Sequence, residues 1–227
     1  MTYPGGKAGS GAAHRIINLM PPHARYFEPF AGSAAVARLK LPASSSFLID
    51  LDPAAVDMLR RQPELQPRSF TIIHGDGLAF LECMPFTPAD LVYCDPPYVR
   101  STRKSARDLY NCEMTDHHHA RLLAWAAASA ARVIISGYRS RMYDEALPAW
   151  NSEDFKVMTR RGNATETLWW NFPRPTVLHD SRYLGEGFRE RERIRRRQKR
   201  WRSRLDRMGA AERNALIGII REMDFVE

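Results

Sequence analysis

The sequence predicts an α/β protein: a doubly wound, mostly parallel seven-stranded sheet with a C-terminal basic helical extension. Three observations carry this expectation. Over the first 172 residues, short apolar runs alternate with helix-like segments at the spacing of βα units. Four successive apolar runs each lead into an acidic residue: Glu28, Asp50, Asp76 and Asp95. The formal net charge is +8, and residues 182–207 alone hold twelve Lys and Arg against four acids, so the remainder is balanced at 22 basic and 22 acidic residues.

The elements follow in order. Tyr26-Phe27-Glu28-Pro29 is a short strand ending in a turn. Residues 33–41 are Ala-rich and helical, with Ser33 placed as the N-cap. Phe47-Leu48-Ile49 is a second strand, and residues 54–61 a helix opened by Asp52 as cap and Pro53 as first residue. Residues 70–74 form a third strand, followed by Gly75-Asp76-Gly77 and a helix over 78–84. Residues 90–94 are the fourth strand. A polar connection over 99–114 carries Arg100, Arg103, Lys104 and Arg107. Thr115-Asp116 then caps a helix through Ala131, Val133-Ile134-Ile135 is the fifth strand, and residues 154–159 and 165–172 pair as a hairpin turning at Gly162-Asn163. Pro173-Arg174-Pro175 closes the body, giving a domain over 1–175 and an extension over 176–227. In the extension, Ile194, Trp201, Leu205 and Met208 share one apolar stripe, Gly209 breaks the helix, and residues 210–223 form a second amphipathic helix. The two stripes can pack on each other, on the body, or across a homodimer.

Composition narrows the setting. A chain of 227 residues with 44% hydrophobic content can bury a core, and no apolar run approaches the ~18 residues of a membrane span. The N-terminus lacks the apolar core of a signal peptide, so a cytoplasmic location is expected. Cys83, Cys94 and Cys112 have no metal-site spacing and read as reduced thiols. His117-His118-His119 point in different directions on a helix, so they read as a solvated helix start rather than a metal site. Of Trp169 and Trp170, which alternate across a strand, at least one belongs to the core. A basic arm on a neutral body is the electrostatic footprint of a phosphate-backbone binder, with Arg195, Arg196, Arg197, Lys199 and Arg200 at its densest point.

The chemistry concentrates at Asp95-Pro96-Pro97-Tyr98, directly after the apolar run that ends at Cys94. In an open α/β sheet the carboxyl edge is where ligands bind. Two prolines fix two φ angles and remove two N–H donors. A rigid carboxylate, a bare carbonyl and an aromatic ring can grip the exocyclic amino group of a flat base and stack on its face. The turn Glu28-Pro29-Phe30-Ala31-Gly32-Ser33 opens a helix, and Gly32 permits close ligand approach. An acid after the second strand, Asp50, suits the two hydroxyls of a ribose, and Asp76 can accept from an adenine amino group. The expected ligand is an adenosine compound without a phosphate requirement. Tyr3-Pro4-Gly5-Gly6-Lys7 is no P-loop: Ala8 follows the lysine and no strand precedes it.

These segments together resemble the Dam-like (D12 class) adenine-N6 DNA methyltransferases. The resemblance rests on Tyr3 to Lys7, Phe27 to Ser33, Ile49-Asp50, Gly75-Asp76, Asp95 to Tyr98, Ile135-Ser136-Gly137-Tyr138 and Thr165 to Trp169, in the family's order over residues 3–172. It implies the S-adenosylmethionine-dependent methyltransferase fold, S-adenosylmethionine as cofactor, no metal, and double-stranded DNA as partner. Tyr3, Lys7, Phe30, Gly32 and Ser33 would surround the methionine part of the cofactor, with Glu28 in the same turn, Asp50 at the ribose and Asp76 at the adenine. Asp95, Pro96, Pro97 and Tyr98 would hold a flipped-out adenine for direct methyl transfer. Methylation of RNA adenine, methylation of cytosine N4, and a non-catalytic nucleic-acid binder are the alternatives.

Two departures stand out. Ala34 replaces the second glycine of the family's Phe-x-Gly-x-Gly turn, for which altered geometry rather than lost binding is expected. Asp76 and Asp95 are also only 19 positions apart, too few for the target-recognition domain many relatives carry there. Site recognition is then expected from the 99–114 connection and the basic arm. The small size and missing domain fit a phage or mobile-element enzyme.

Overall fold

The computed structural model describes residues 7, 11–67, 69–103, 110–159 and 162–223. The chain divides into two compact units, Met1–Asp180 and Ser181–Glu227.

The first unit holds one mixed sheet. Its strands are β1 (Arg25–Glu28), β2 (Ser45–Asp50), β3 (Phe70–His74), β4 (Asp90–Cys94), β5 (Arg132–Gly137), β6 (Asn151–Thr159) and β7 (Gly162–Trp170), in the order β3-β2-β1-β4-β5-β7-β6. The first five run parallel, and β7 lies antiparallel to both β5 and β6. This is the seven-stranded, mostly parallel sheet that the sequence predicts. Flanking it are α1 (Ala12–Ile17), α2 (Ala35–Leu39), α3 (Pro53–Arg60), α4 (Gly77–Cys83), α5 (Asp116–Ala128) and α6 (Arg141–Ala146). Because helices cover both sides, β4 is buried at all five residues, as a central parallel strand must be. Side chains alternate between faces. Phe27, Val92, Cys94, Val133, Ile135 and Trp169 meet Leu81, Leu122, Leu123 and Tyr143 in one core cluster. Tyr26, Leu91, Tyr93, Ile134 and Ser136 occupy alternate positions and are equally buried.

Strand order reverses between β1 and β4, so their carboxyl ends open a crevice at the switch point. Gly77 lets the next turn close on that crevice. A Cβ there would lie 2.0 Å from the Pro29 carbonyl oxygen, so any other residue would push the Asp76 turn away from the Pro29 turn.

Local expectations and structure part in four places. Ser33 is not a cap: α2 begins at Ala35 after Ala34, without a side-chain cap. Gly162 and Asn163 are not the turn of the hairpin: both belong to β7, paired with Thr159 and Met158. The helix start is exposed at Thr115, Asp116 and His117 as expected, but the next two histidines are not simply solvated. His118 accepts from the Thr115 backbone in a capping box, and His119 is fully buried with Nδ1 2.9 Å from the Tyr143 hydroxyl. Trp169 and Trp170 are both buried, in keeping with the expectation that at least one belongs to the core. Helices α1 and α6 were not anticipated; at six residues each they are shorter than two helical turns, too short to show a period.

Beneath the crevice sits a buried polar cluster. Lys40 Nζ lies 4.2 Å over the Tyr26 ring and 3.4 Å from His23 Nε2, and His23 stacks on His179 at 3.9 Å. Burial, then the Lys40 charge, lowers His23 to about 3. Burial likewise lowers Lys40 to about 8, against the pull of Glu28 and Asp180.

The second unit holds α7 (Phe188–Asp206) and α8 (Ala210–Glu222), broken at Gly209 as expected. Leu205, Met208, Arg213 and Leu216 are half-buried within it, whereas Trp201 is 51% exposed. Trp201 therefore leaves the predicted apolar stripe. It shares a face with Arg196, Arg197, Lys199, Arg200, Arg204 and Arg207, and the Arg204 guanidinium lies 5.4 Å from its ring.

Ala34 supplies a test of the turn. It is the one non-glycine residue with positive φ among the described residues, at φ 47°, ψ 40°, and it is fully buried. The alanine thus keeps the left-handed backbone that glycine favours, at a cost of roughly 1–2 kcal/mol. A β-branched side chain there adds χ1 crowding and overpacking, so Ala34→Val is expected to lower unfolding free energy by about 2–3 kcal/mol in urea titration. Ala34→Gly is expected to fold and to bind ligand as the parent does.

Candidate active site

The crevice gathers residues from the carboxyl-end turns of β1, β2, β3 and β4. Its walls include Glu28, Phe30, Gly32, Ser33, Asp50, Asp76, Asp95 and Pro97, with Lys7 and Tyr93 behind them. Of the residues expected around a cofactor, all but Tyr3 line this one cleft. Tyr3 lies outside the described residues, as do Lys104 and Arg107.

Each acid is held by its own turn. Asp50 Oδ2 accepts from the Gly32 N–H at 2.6 Å and its Oδ1 from the Asp52 N–H at 2.8 Å, which ties the first turn to the second. Burial raises its pKa, against those two backbone donors. Asp76 Oδ1 caps α4 by accepting from the Leu78 N–H at 2.8 Å. Glu28 is buried and accepts from the Tyr26 hydroxyl at 2.8 Å. Burial pushes Glu28 up to about 8, the Tyr26 hydrogen bond opposing and Asp95 adding to the rise.

Lys7 organises the deepest part. Its side chain is 4% exposed, and its ammonium lies 2.9 Å from Asp95 Oδ1 and 3.2 Å from Glu166 Oε2 while donating to the Tyr98 hydroxyl. Burial alone would lower the Lys7 pKa, but Asp95 and Glu166 outweigh it and hold the group as an ammonium well above the usual lysine range. Tyr98 is buried, with its ring edge-on to Tyr138 at a centroid distance of 4.6 Å. Burial, then Asp95 and Glu166, raise its hydroxyl well above the ordinary tyrosine value. Pro96 is buried, and Pro97 is half-buried at the cleft wall.

Within the 99–114 connection one of the four basic residues expected to contact nucleic acid has a different partner. Arg103 is turned inward, its side chain 3% exposed. It donates to the Tyr98 carbonyl at 2.6 Å and pairs with both oxygens of Glu113 at 2.7 and 2.6 Å. Tyr110, Cys112, Glu113 and Met114 then form a wall of the cleft, and Asn111 Nδ2 latches it to Asp52 Oδ2 at 2.9 Å. Arg100 is exposed, as are Arg195, Arg196, Arg197, Lys199 and Arg200 in the second unit. No cluster of His, Cys, Asp and Glu suited to a metal ion occurs among the described residues, and no helix there is long and apolar enough to cross a membrane.

Reading of the sequence gave no role to Ser136, Glu166 or the 110–114 wall. Ser136 and Glu166 stand within quoted motifs, so a signal was present. The wall had none, because nothing in Tyr110 to Met114 marks it as folding over a strand edge.

Sheet order, an antiparallel seventh strand and a ligand crevice at the β1/β4 switch define the S-adenosylmethionine-dependent methyltransferase fold. Residues 64–160 match the family model of the D12 class N6 adenine-specific DNA methyltransferases, which bears out the resemblance read from the motifs. Among solved structures, a conserved hypothetical protein from Streptococcus pyogenes aligns with TM-score 0.51 and 16% identity, over 74% of this chain and 98% of that one. A precorrin 8W decarboxylase from Methanobacterium thermoautotrophicum aligns with TM-score 0.50 and 14% identity, over 75% and 94%. No curated protein matches the chain. Family match and fold together support methyl transfer as the chemistry.

Arg103 allows a direct check of the two roles open to it. As a strut between the Tyr98 carbonyl and Glu113, Arg103→Ala is expected to weaken cofactor binding about tenfold in calorimetry. The salt dependence of DNA binding is expected to stay unchanged. A phosphate contact would instead reduce the log–log salt slope by roughly 0.9.

Proposed function

We propose that this protein transfers a methyl group from S-adenosylmethionine to the N6 amino group of adenine in double-stranded DNA. One observation carries the reading. The cleft is lined by five acidic side chains: Asp95 is paired with Lys7, Glu113 with Arg103, Glu28 is raised to about 8 by burial, and Asp50 and Asp76 have no ion-pair partner among the described residues. Such a donor set repels phosphate and favours an adenosine compound that carries positive charge.

Bound there, the cofactor supplies an electrophilic methyl group on a sulfonium. Asp50 and Asp76 are the candidates for its ribose and adenine. Glu28 would face its charged end, where a neighbouring cation would favour the ionised carboxylate. Asp95 and the Pro96 carbonyl would accept the two hydrogens of the target amino group and so direct the nitrogen lone pair toward the methyl carbon. Tyr98, held by Lys7, would meet the face of the extruded base. The contributions are orientation and preorganised electrostatics.

The basic face of α7 is the candidate for holding phosphates, with Trp201 offering a stacking surface among the arginines. Its charge carries no base recognition, so affinity is its expected contribution.

Two experiments test the reading. Incubation with labelled cofactor and mixed-sequence DNA, followed by nucleoside digestion, is expected to yield N6-methyladenine. Asp95→Ala is expected to cut the rate about 10²–10³-fold with cofactor affinity retained. An unchanged rate defeats the assignment, and N4-methylcytosine as product moves it to the other base. In the full chain, replacing Arg197, Arg200 and Arg204 with Gln is expected to weaken DNA binding and to reduce the log–log salt slope by roughly 2–3.

A further inference from the structure

Asp95 is gripped by one oxygen only. Lys7 Nζ lies 2.9 Å from Oδ1, and Ser136 Oγ donates to the same Oδ1 at 2.7 Å. Among the described residues no hydrogen bond falls on Oδ2. Behind Ser136, the Tyr93 hydroxyl is 2.9 Å from Ser136 Oγ. A serine has one hydroxyl proton, and a carboxylate oxygen only accepts. The Ser136 proton is therefore given to Asp95, and the Tyr93 hydroxyl must donate to Ser136. Direction is thus fixed along Tyr93, Ser136 and Asp95.

The fold makes this arrangement cheap to hold. Tyr93 on β4 pairs in register with Ile134 on β5, so Ser136, two residues on, points to the same face of the sheet. Tyr93 is 1% exposed and Ser136 fully buried. Asp95 is 19% exposed at its side chain and lines the cleft. Ser136 is not among the cleft-lining residues.

We propose that Tyr93 and Ser136 are positioning residues. Together with Lys7 they pin Asp95 by Oδ1 and present Oδ2 to the amino group of the substrate base. The χ2 torsion of an aspartate is broad and nearly two-fold, so an unpinned carboxylate would present either oxygen over a range of angles. Two donors converging on one oxygen remove that freedom. The relay serves the amino-group reading given above and rests on it.

The test is a double-mutant cycle in the full-length protein, using Ser136→Ala, Tyr93→Phe and their combination. Turnover on saturating DNA, cofactor affinity and thermal midpoint are measured for each. Ser136→Ala is expected to lower kcat about 10–100-fold, with cofactor affinity within about twofold, since the carboxylate stays but loses its fixed angle. Tyr93→Phe is expected to lower kcat about 3–10-fold by releasing the serine hydroxyl to turn away. Ser136→Ala also strands the buried Tyr93 hydroxyl, so its thermal midpoint falls, and adding Tyr93→Phe is expected to restore much of that loss. The double variant should therefore regain stability while its kcat stays at the Ser136→Ala level.

A kcat that recovers along with the thermal midpoint makes the pair merely structural and overturns the relay. So does a Ser136→Ala enzyme of parental turnover. Parental protein that methylates cytosine N4 defeats the adenine reading alone, because the same three variants then test the relay on that amino group. Parental protein that transfers to neither base overturns both.

Discussion

A single ammonium in a nest of carboxylates is the constraint on which the site depends. Lys7 sits between Asp95, which follows β4, and Glu166 of β7, with the Tyr98 hydroxyl as a third partner. Two carboxylates brought this close in a buried site repel strongly, and removal of one member of a buried pair typically costs about 3–5 kcal/mol. The lysine makes their proximity tolerable. It also joins three parts of the chain that are far apart in sequence: the N-terminal segment, the turn after the fourth strand and the antiparallel edge. The order of strands places β4 and β7 on either side of β5, and this is why residues 95 and 166 can meet one charge.

Around that centre, the acids at the sheet edge act as struts as well as ligand candidates. Asp50 joins the Gly32 and Asp52 backbones, Asp76 caps α4, and the Asp76 turn rests on Pro29 through Gly77. A cleft whose acids are already fixed by backbone donors loses little conformational freedom when it binds, and preorganisation of this kind raises affinity by lowering the cost of ordering. The same economy explains Ala34. Its left-handed backbone is retained although no glycine is there, because the turn leading into it is clamped to the end of β2, Ala31 N–H to the Ile49 carbonyl and Gly32 N–H to Asp50.

Much of this was legible in the sequence, and the remainder was not for physical reasons. Strand-end acids are visible because a parallel sheet brings every strand's carboxyl end to one edge. The position of Glu28, Asp50, Asp76 and Asp95 around one cleft follows from that periodicity alone. Short helices leave no periodic trace, so α1 and α6 escaped notice. Charge proved the least reliable guide. Arg103 looks like Arg100 in the sequence, yet it is buried against Glu113 because tertiary packing, not residue type, decides which arginine faces solvent. Trp201 misled in the opposite direction: helical spacing put it on an apolar stripe, but in the structure it lies among arginines. The ring there is half exposed.

The segregation of charge is itself an argument about how a polymer can be handled. Residues outside 182–207 are balanced overall, yet the cleft gathers five acidic side chains, of which Asp95 and Glu113 are offset by Lys7 and Arg103, while Asp50 and Asp76 have no ion-pair partner among the described residues. Phosphates are excluded from such a cleft by the same electrostatics that favour a cationic cofactor. On the proposed reading, a nucleic acid would enter as a neutral base turned out of its backbone, with the backbone held by positive charge placed elsewhere. The excess of eight positive charges in residues 182–207 is the chain's one surplus of that kind. Under the proposed reading, the acidic side chains of the first unit and the basic helix of the second would meet two separate needs, admitting a base and holding phosphates.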